Sequence, residues 1–337
     1  MSTAQETATQ IVVTEPAAKR TLTVPMIGNL LLLAVLLIAP IFVKNFVVFQ
    51  FTMILIYAIA ILSLNILTGV SGQVSLGHSA FFAAGAYGAG ILMEHANVPY
   101  PLAILAAGVI CFAIGFLFGL PALRLKGVYL ALATFALAVA APPLLKLGTF
   151  EHWTGGVQGL LVTKPDPAFG LPISQDRWMY YVTLAITLVI YLLSVNLLNS
   201  RSGRAFMAIR DNEIAASSMG INLALYKTLA FGISAGLTGI AGALGAITVA
   251  FVAPDAYTFN FAIALFLGMV IGGVGWLPGS LAGAAFIVYV PNIAEGISKG
   301  LSGAVFGVFI IAVIFLLPNG ARQLAYYLRD QLNKLIK

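Results

Sequence analysis

FVVFQFTMILIYAIAILSLNILTGVSGQVSLGHSAFF, running from Phe46 to Phe82, decides the fold. Its first part, Phe46–Thr68, carries no charged side chain. It is long enough to cross a bilayer, which takes about 20 mostly apolar residues. The run then breaks. Gly69, Gly72 and Gly77 alternate with Ser71, Gln73, Ser75 and His78 before apolar residues resume at Ala80. Backbone can leave the helix at membrane depth only where protein or a water-filled cavity satisfies its polar groups. The stretch therefore predicts a broken helix whose polar atoms, at Gly72, Gln73, Ser75 and His78, line a wet translocation path. The alternative is a polar patch that bonds a neighbouring helix.

Composition agrees with a membrane chain. Of 337 residues, 61% are apolar and 8% charged, with a mean hydropathy of +1.02. Soluble domains are roughly 45–50% apolar and about 25% charged, so a water-facing surface cannot be assembled here. Cys111 is the single cysteine, which excludes a disulfide scaffold. The net charge of +6 reads as basic loops facing anionic lipid rather than as nucleic-acid binding. Met1–Val24 carries Glu6 and Glu15 with no basic segment before them, so it reads as a polar cytoplasmic tail and not as a cleaved signal.

Working outward from Phe46–Thr68, the same ruler marks further spans at Met26–Val43, Val74–Met93, Leu102–Leu120, Val128–Leu147, Trp178–Leu198, Tyr226–Ile247, Ala256–Ile271, Leu277–Ala294 and Gly303–Leu317. The third, eighth and ninth in chain order are short or glycine-rich and are candidates for re-entrant or broken segments. With the N-terminus inside, twelve of the 17 basic residues fall on inner segments and five (Lys44, Lys146, Lys164, Arg177 and Lys299) on outer ones. That asymmetry predicts both termini in the cytoplasm.

Two connections are longer than their spans require. Gly148–Arg177, on the outside, contains TGGVQG (Thr154–Gly159) and the proline-rich KPDPAFGLP (Lys164–Pro172). Asn199–Leu225, on the inside, has no proline and many helix formers, and predicts a helix–turn–helix. The segments Gly69–Phe82 and Gly272–Phe286 echo each other, each with glycines and small residues followed by an apolar run. Transporters are often built from two such repeats.

Chemistry-bearing motifs are scarce. No G-x-x-x-x-G-K-[ST] occurs, so no ATP is cradled by that device. The histidines His78, His95 and His152 are far apart in sequence and no paired cysteines exist, so no metal site is expected. Gly232–Gly236 (GISAG) fits G-x-S-x-G, but it lies inside an apolar span followed by Gly239, Gly242 and Gly245. It reads as helix packing and not as a nucleophile elbow. The acidic residues Glu94, Asp255 and Glu295 sit at or beyond span ends. A self-sufficient secondary carrier would keep an ionisable group near the midplane.

The inner loop is the most informative segment. Glu213 is followed by Ala215, Ala216 and, after three spacers, Gly220, with Arg204, Arg210 and Asp211 before it. A short amphipathic helix ended by Gly220 could dock in a groove on a cytoplasmic partner. This E-x-A-A-x-x-x-G arrangement resembles the cytoplasmic EAA loop of ABC importer permeases, with one extra residue, Ile214. More specifically, the chain resembles the LivM-type permeases of branched-chain amino acid importers. The resemblance is carried by LTGVSGQVSLGHSAFFAAGAY (Leu67–Tyr87), LRLKGVYLALATFALA (Leu123–Ala138), TGGVQGL (Thr154–Leu160), IRDNEIAASSMGI (Ile209–Ile221) and MVIGGVGWLPGSLAGAAF (Met269–Phe286). It covers most of the chain from Phe51 to Asn319. Urea permeases and importers of other amino and aromatic acids share these stretches.

The resemblance implies a non-enzymatic transport subunit in a bacterial inner membrane. It implies a second related permease subunit, two cytoplasmic ABC ATPases that bind the ATP, and an extracytoplasmic binding protein delivering a small polar substrate. Arg204, Arg210, Asp211, Glu213, Ala215, Ala216 and Gly220 would form the ATPase-coupling loop, with Arg210 and Glu213 as polar anchors. The expected architecture is an all-α integral membrane protein of about ten transmembrane or re-entrant helices in two repeats. It would comprise a tail at 1–25, a permease domain at 26–320 with its coupling loop at 199–225, and a basic tail at 321–337.

Overall fold

The computed structural model describes residues 36–297 apart from 126 and 171, together with 307, 308, 311, 315 and 320–323. The chain divides into two units, Met1–Val43 and Lys44–Lys337. In the first, residues 36–42 are helical. The expected tail at 1–25, most of the first and last spans, and nearly all of the tail at 321–337 lie outside the described residues.

The second unit is a helical bundle. Its helices are α1 (Asn45–Leu64), α2 (His78–Glu94), α3 (Tyr100–Ala122), α4 (Val128–Leu145), the single turn α5 (Glu151–Thr154), α6 (Gln175–Asn199), α7 (Arg201–Asp211), α8 (Glu213–Ser218), α9 (Leu223–Val249), α10 (Phe259–Gly272) and α11 (Gly279–Ile297). Among the described residues five segments are long and apolar enough to cross a membrane: Asn45–Val70, Tyr100–Ala122, Val128–Leu145, Gln175–Asn199 and Leu223–Val249. The apolar helices Phe259–Gly272 and Gly279–Ala294 are shorter. Among the described spans the eighth and ninth are thus short, and the third, α2, has 17 residues.

Helix α9 is the hub. Of its apolar window 83% is buried, against 22% for α4 and for α6, and it packs on α1, α2 and α3. Hydrophobicity does not separate these helices, because lipid is as apolar as leucine. Side-chain size does. On α3 the small residues Ala103, Ala107, Cys111, Gly115 and Gly119 recur at every fourth position and are all buried, which aligns them on one face. They meet Gly232, Ala235, Gly236 and Gly239 of α9, where a Cβ on Gly239 would lie 2.5 Å from the Cβ of Cys111. The opposite face of α3 exposes Leu102, Leu105, Val109 and Leu117, as an outer helix in a membrane should.

Helix α1 does not stop at Leu64 but widens into a π-helical segment, Asn65–Val70. Residues 71–77 then leave the helix, so α2 begins at His78 and not at the expected Val74. The displaced backbone groups find protein partners. Gln73 N–H donates to Leu67 O at 3.1 Å, and Leu76 N–H to Thr134 Oγ1 at 2.9 Å. Thr68 Oγ1 donates to Gln73 O at 3.1 Å. A second break, at residues 273–278, separates α10 from α11.

At one end of α6 lies the 199–225 loop, and at the other the long loop after α4. The latter is tied down by a two-stranded antiparallel ladder, β1 (Leu160–Leu161) with β2 (Phe251–Val252), in which Leu160 faces Val252. Lys146 and Asp255 pair there at 2.6 Å.

Candidate functional site

The 199–225 loop is built by three consecutive N-caps. Ser200 Oγ accepts from Gly203 N at 3.4 Å and starts α7. Asn212 Oδ1 accepts from Ile214 N and Ala215 N, both at 3.0 Å, and starts α8. Asn222 Oδ1 accepts from Leu225 N at 3.1 Å and starts α9. Such caps satisfy amides that a helix start leaves unpaired. Asn212 takes an extended conformation between two helices, which makes the sharp corner. Helix α8 ends as a left-handed turn: Gly220 has φ +81° and Ile221 N–H donates to Ala216 O at 3.1 Å. The helix–turn–helix expected here is what forms.

Phe206 and Ile209 pack α7 inward, Phe206 meeting Tyr226 edge-on at 6.2 Å between ring centroids. Ala216 turns inward from α8 and is buried. The concave side between α7 and α8 is a groove whose floor includes Ala205, Ala208 and Ala216 and whose rim includes Arg201, Arg204 and Asp211. Ile214 on α8 is 79% exposed, and Met219, which caps its C-terminus and lines the groove, is 85% exposed.

The two groups expected as anchors for a partner also have bonds within the chain. Glu213 Oε1 accepts from Lys227 Nζ at 2.6 Å, and Lys227 is 9% exposed. Arg210 Nη1 donates to Gly69 O at 3.1 Å, while its Nε and Nη2 donate to Asp211 Oδ1 at 3.0 and 2.9 Å. Arg204 lies exposed with Nη1 on Asn199 O at 3.0 Å. Ala215 is exposed.

The break at 71–77 adjoins this loop. Gly72 takes φ +76°, and a Cβ there would fall 2.9 Å from Arg210 Cγ. Gln73 is buried and donates through Nε2 to Ser71 Oγ at 2.7 Å and to Lys227 O at 3.3 Å. His78 is 1% exposed, between Ser75 Oγ (3.2 Å from Nδ1) and Ser234 Oγ (2.8 Å from Nε2). Ser234 spends its proton on Ser63 O at 2.7 Å, so Nε2 carries hydrogen and Nδ1 accepts from Ser75. Gln73 Nε2, Ser75 Oγ and both ring nitrogens of His78 therefore have partners inside the chain. The broken helix is present, and within this chain Gln73, Ser75 and His78 bond in a polar seam between α1, α2 and α9 while Gly72 is exposed. The same network disposes of G-x-S-x-G chemistry. Ser234 lies mid-helix, its hydroxyl committed to a carbonyl, and its histidine is a donor rather than a base.

Asn65 joins the two breaks. Its Nδ2 donates to Gly273 O and Trp276 O, both at 3.2 Å, and its Oδ1 accepts from Gly275 N at 2.6 Å. Asn65, Lys227, Ile214 and Met219 were not among the expected site residues. An asparagine within an apolar run was the available signal for the first; nothing local distinguished the exposed apolar pair. Among the described residues no three of His, Cys, Asp and Glu come together to hold a metal ion.

Residues 46–316 match the family described as branched-chain amino acid transport system / permease component. The chain is 32% identical over 326 residues to the high-affinity branched-chain amino acid transport system permease protein LivM of Salmonella typhimurium, across 88% of this chain and 76% of that protein. It is 34% identical over 273 residues to the protein of the same name in Escherichia coli, across 73% of this chain and 64% of that protein. A further relative is the autoinducer 2 import system permease protein LsrC of Salmonella typhi, 27% identical over 60% of this chain and 57% of that protein. No solved structure matches the chain.

Proposed function

The chain belongs to the family of branched-chain amino acid transport system permease components, and from that premise we propose that it is a membrane-spanning subunit of a binding-protein-dependent ABC importer. With a second related permease subunit it forms the path for leucine, isoleucine and valine. Two cytoplasmic ABC ATPase subunits bind and hydrolyse the ATP, and an extracytoplasmic binding protein delivers the substrate. The chain itself has no ATPase site. It sits in the inner membrane with both termini in the cytoplasm, so the α7–α8 pair faces the ATPases. Closure of the ATPase dimer moves that pair and rocks the two permeases between inward- and outward-open states.

The observation that carries the coupling role is the exposure of Ile214 and Met219 on a helix capped at both ends. Capping fixes the helix without a partner, and the two apolar side chains then stand ready to be buried by one. Branched-chain amino acids are favoured as cargo because the LivM proteins match at higher identity and over more of the chain than LsrC does.

The test is to purify the complex through a tag on this subunit and measure co-purified ATPase, substrate-stimulated hydrolysis, and uptake of radiolabelled leucine against urea. Ile214→Glu with Met219→Glu puts two charges into the contact. The expected loss is about 2 kcal/mol or more of docking energy, roughly 30-fold in affinity, with membrane insertion unchanged. Gly220→Val should act in the same direction by straining the turn. Wild-type ATPase content in all these variants would sink the coupling role; uptake of urea but not leucine would reassign the cargo.

A further inference from the structure

The α7–α8 pair is fastened to the membrane helices at two points of different kind. The first is the Glu213–Lys227 ion pair at 2.6 Å, which ends on the opening turn of α9. The second is Arg210, which ends on the carbonyl of Gly69 at 3.1 Å. Gly69 lies in the π segment just before the chain breaks, where a carbonyl has lost its regular helical partner. A guanidinium is suited to such a place, because its planar fork can hold two acceptors at once. Here it holds Asp211 Oδ1 on α7 through Nε and Nη2, and Gly69 O through Nη1.

Gly69 is also where the two breaks touch. A Cβ at Gly69 would lie 2.5 Å from Gly275 N and 3.1 Å from Gly275 Cα, and Asn65 bonds Gly273, Gly275 and Trp276 from one turn away. Arg210, Gly69 and Gly275 therefore form a short contiguous line from the loop, through the first break, to the second. Gly72 closes the other side of Arg210, its lack of a side chain leaving room for the Arg210 stem.

We propose that Arg210 is a positioning residue for transport, making the break at 71–77 follow the α7–α8 pair, with Asn65 carrying that displacement to the break at 273–278. This rests on the α7–α8 pair being the ATP-coupling element. The ion pair with Lys227 keeps the loop attached to α9 when Arg210 is removed, so loss of Arg210 frees the breaks without detaching the loop.

The experiment uses the whole importer in proteoliposomes and reads leucine transported per ATP hydrolysed. Arg210→Met should keep wild-type ATPase content and stimulated hydrolysis while transport per ATP falls about five-fold or more, the lower range of allosteric couplings. Arg210→Lys should recover only part, since a single ammonium lacks the fork. Gly72→Ala crowds the same side chain and should uncouple too; combined with Arg210→Met it should be no worse than either alone, because both act through one bond. Unchanged transport per ATP in Arg210→Met overturns the proposal. Loss of the ATPase from that complex also overturns it and makes Arg210 a docking contact. A wild-type complex without any ATPase removes the coupling reading and this inference with it, before any variant is made.

Discussion

Asn65 satisfies three backbone groups with one amide, all of them on a segment more than 200 positions away. Asn65 is 1% exposed and Gly273, one of its three partners, is buried as well, whereas Gly275 is exposed. Asn65→Leu should therefore cost about 2 kcal/mol, chiefly by stranding the buried Gly273 carbonyl. Ser63→Ala should cost only about 1 kcal/mol, because its partner Thr238 keeps a bond to Ser234 O at 2.9 Å. Thermal unfolding in detergent would rank the two, and an unchanged midpoint for Asn65→Leu would show that the breaks hold together without it. At this scale the sequence announces that a polar residue matters but not to whom it speaks. Asn65 is legible as an oddity among Leu64, Ile66 and Leu67, while its partners depend on how two breaks far apart in the chain meet. The same holds for Glu213, whose charge suggests a partner protein and whose ion pair with Lys227 only the structure shows.

Among the elements, α3 and α9 show how size sorts helices of equal hydrophobicity. Adding bulk at their seam has nowhere to go. Gly239→Leu should destabilise the bundle by about 3 kcal/mol through overpacking, whereas Leu132→Ala on α4, where Leu132 is 55% exposed, should stay within about 0.5 kcal/mol. Equal effects from the two would mean that the α3–α9 contact does not set stability; detergent unfolding again reads the difference. Most element positions were readable in advance, since membrane-length apolar runs fix where long helices fall to within a few residues. The caps Ser200, Asn212 and Asn222 came from the structure, although a small polar side chain before a helix-forming run is a local signal. The start of α2 was not readable in advance. Val74 extends the apolar pattern, but Gly72 in the left-handed region and the claim of Thr134 on the Leu76 amide hold residues 71–77 out of the helix.

For the whole molecule, orientation is a matter of charge rather than packing. The basic residues predict that the loop containing Gln158 lies outside. A cysteine at Gln158, which is exposed, should react with an impermeant maleimide in intact cells with a permeabilised outer envelope. Cys111 is buried and should stay silent as the internal control. Labelling that requires lysed inner membranes would invert the topology and place the α7–α8 pair away from any cytoplasmic ATPase. Composition, apolar run length and glycine placement determined by themselves that this is a helical membrane protein with interrupted helices, because those properties report how each segment meets lipid. Which helix sits at the centre, which polar residues bond across the breaks, and which side chains of the loop remain exposed were decided only by the tertiary structure. Those outcomes depend on pairings between distant segments, and a hydrogen bond such as Arg210 to Gly69 leaves no trace in either stretch until the two are brought together.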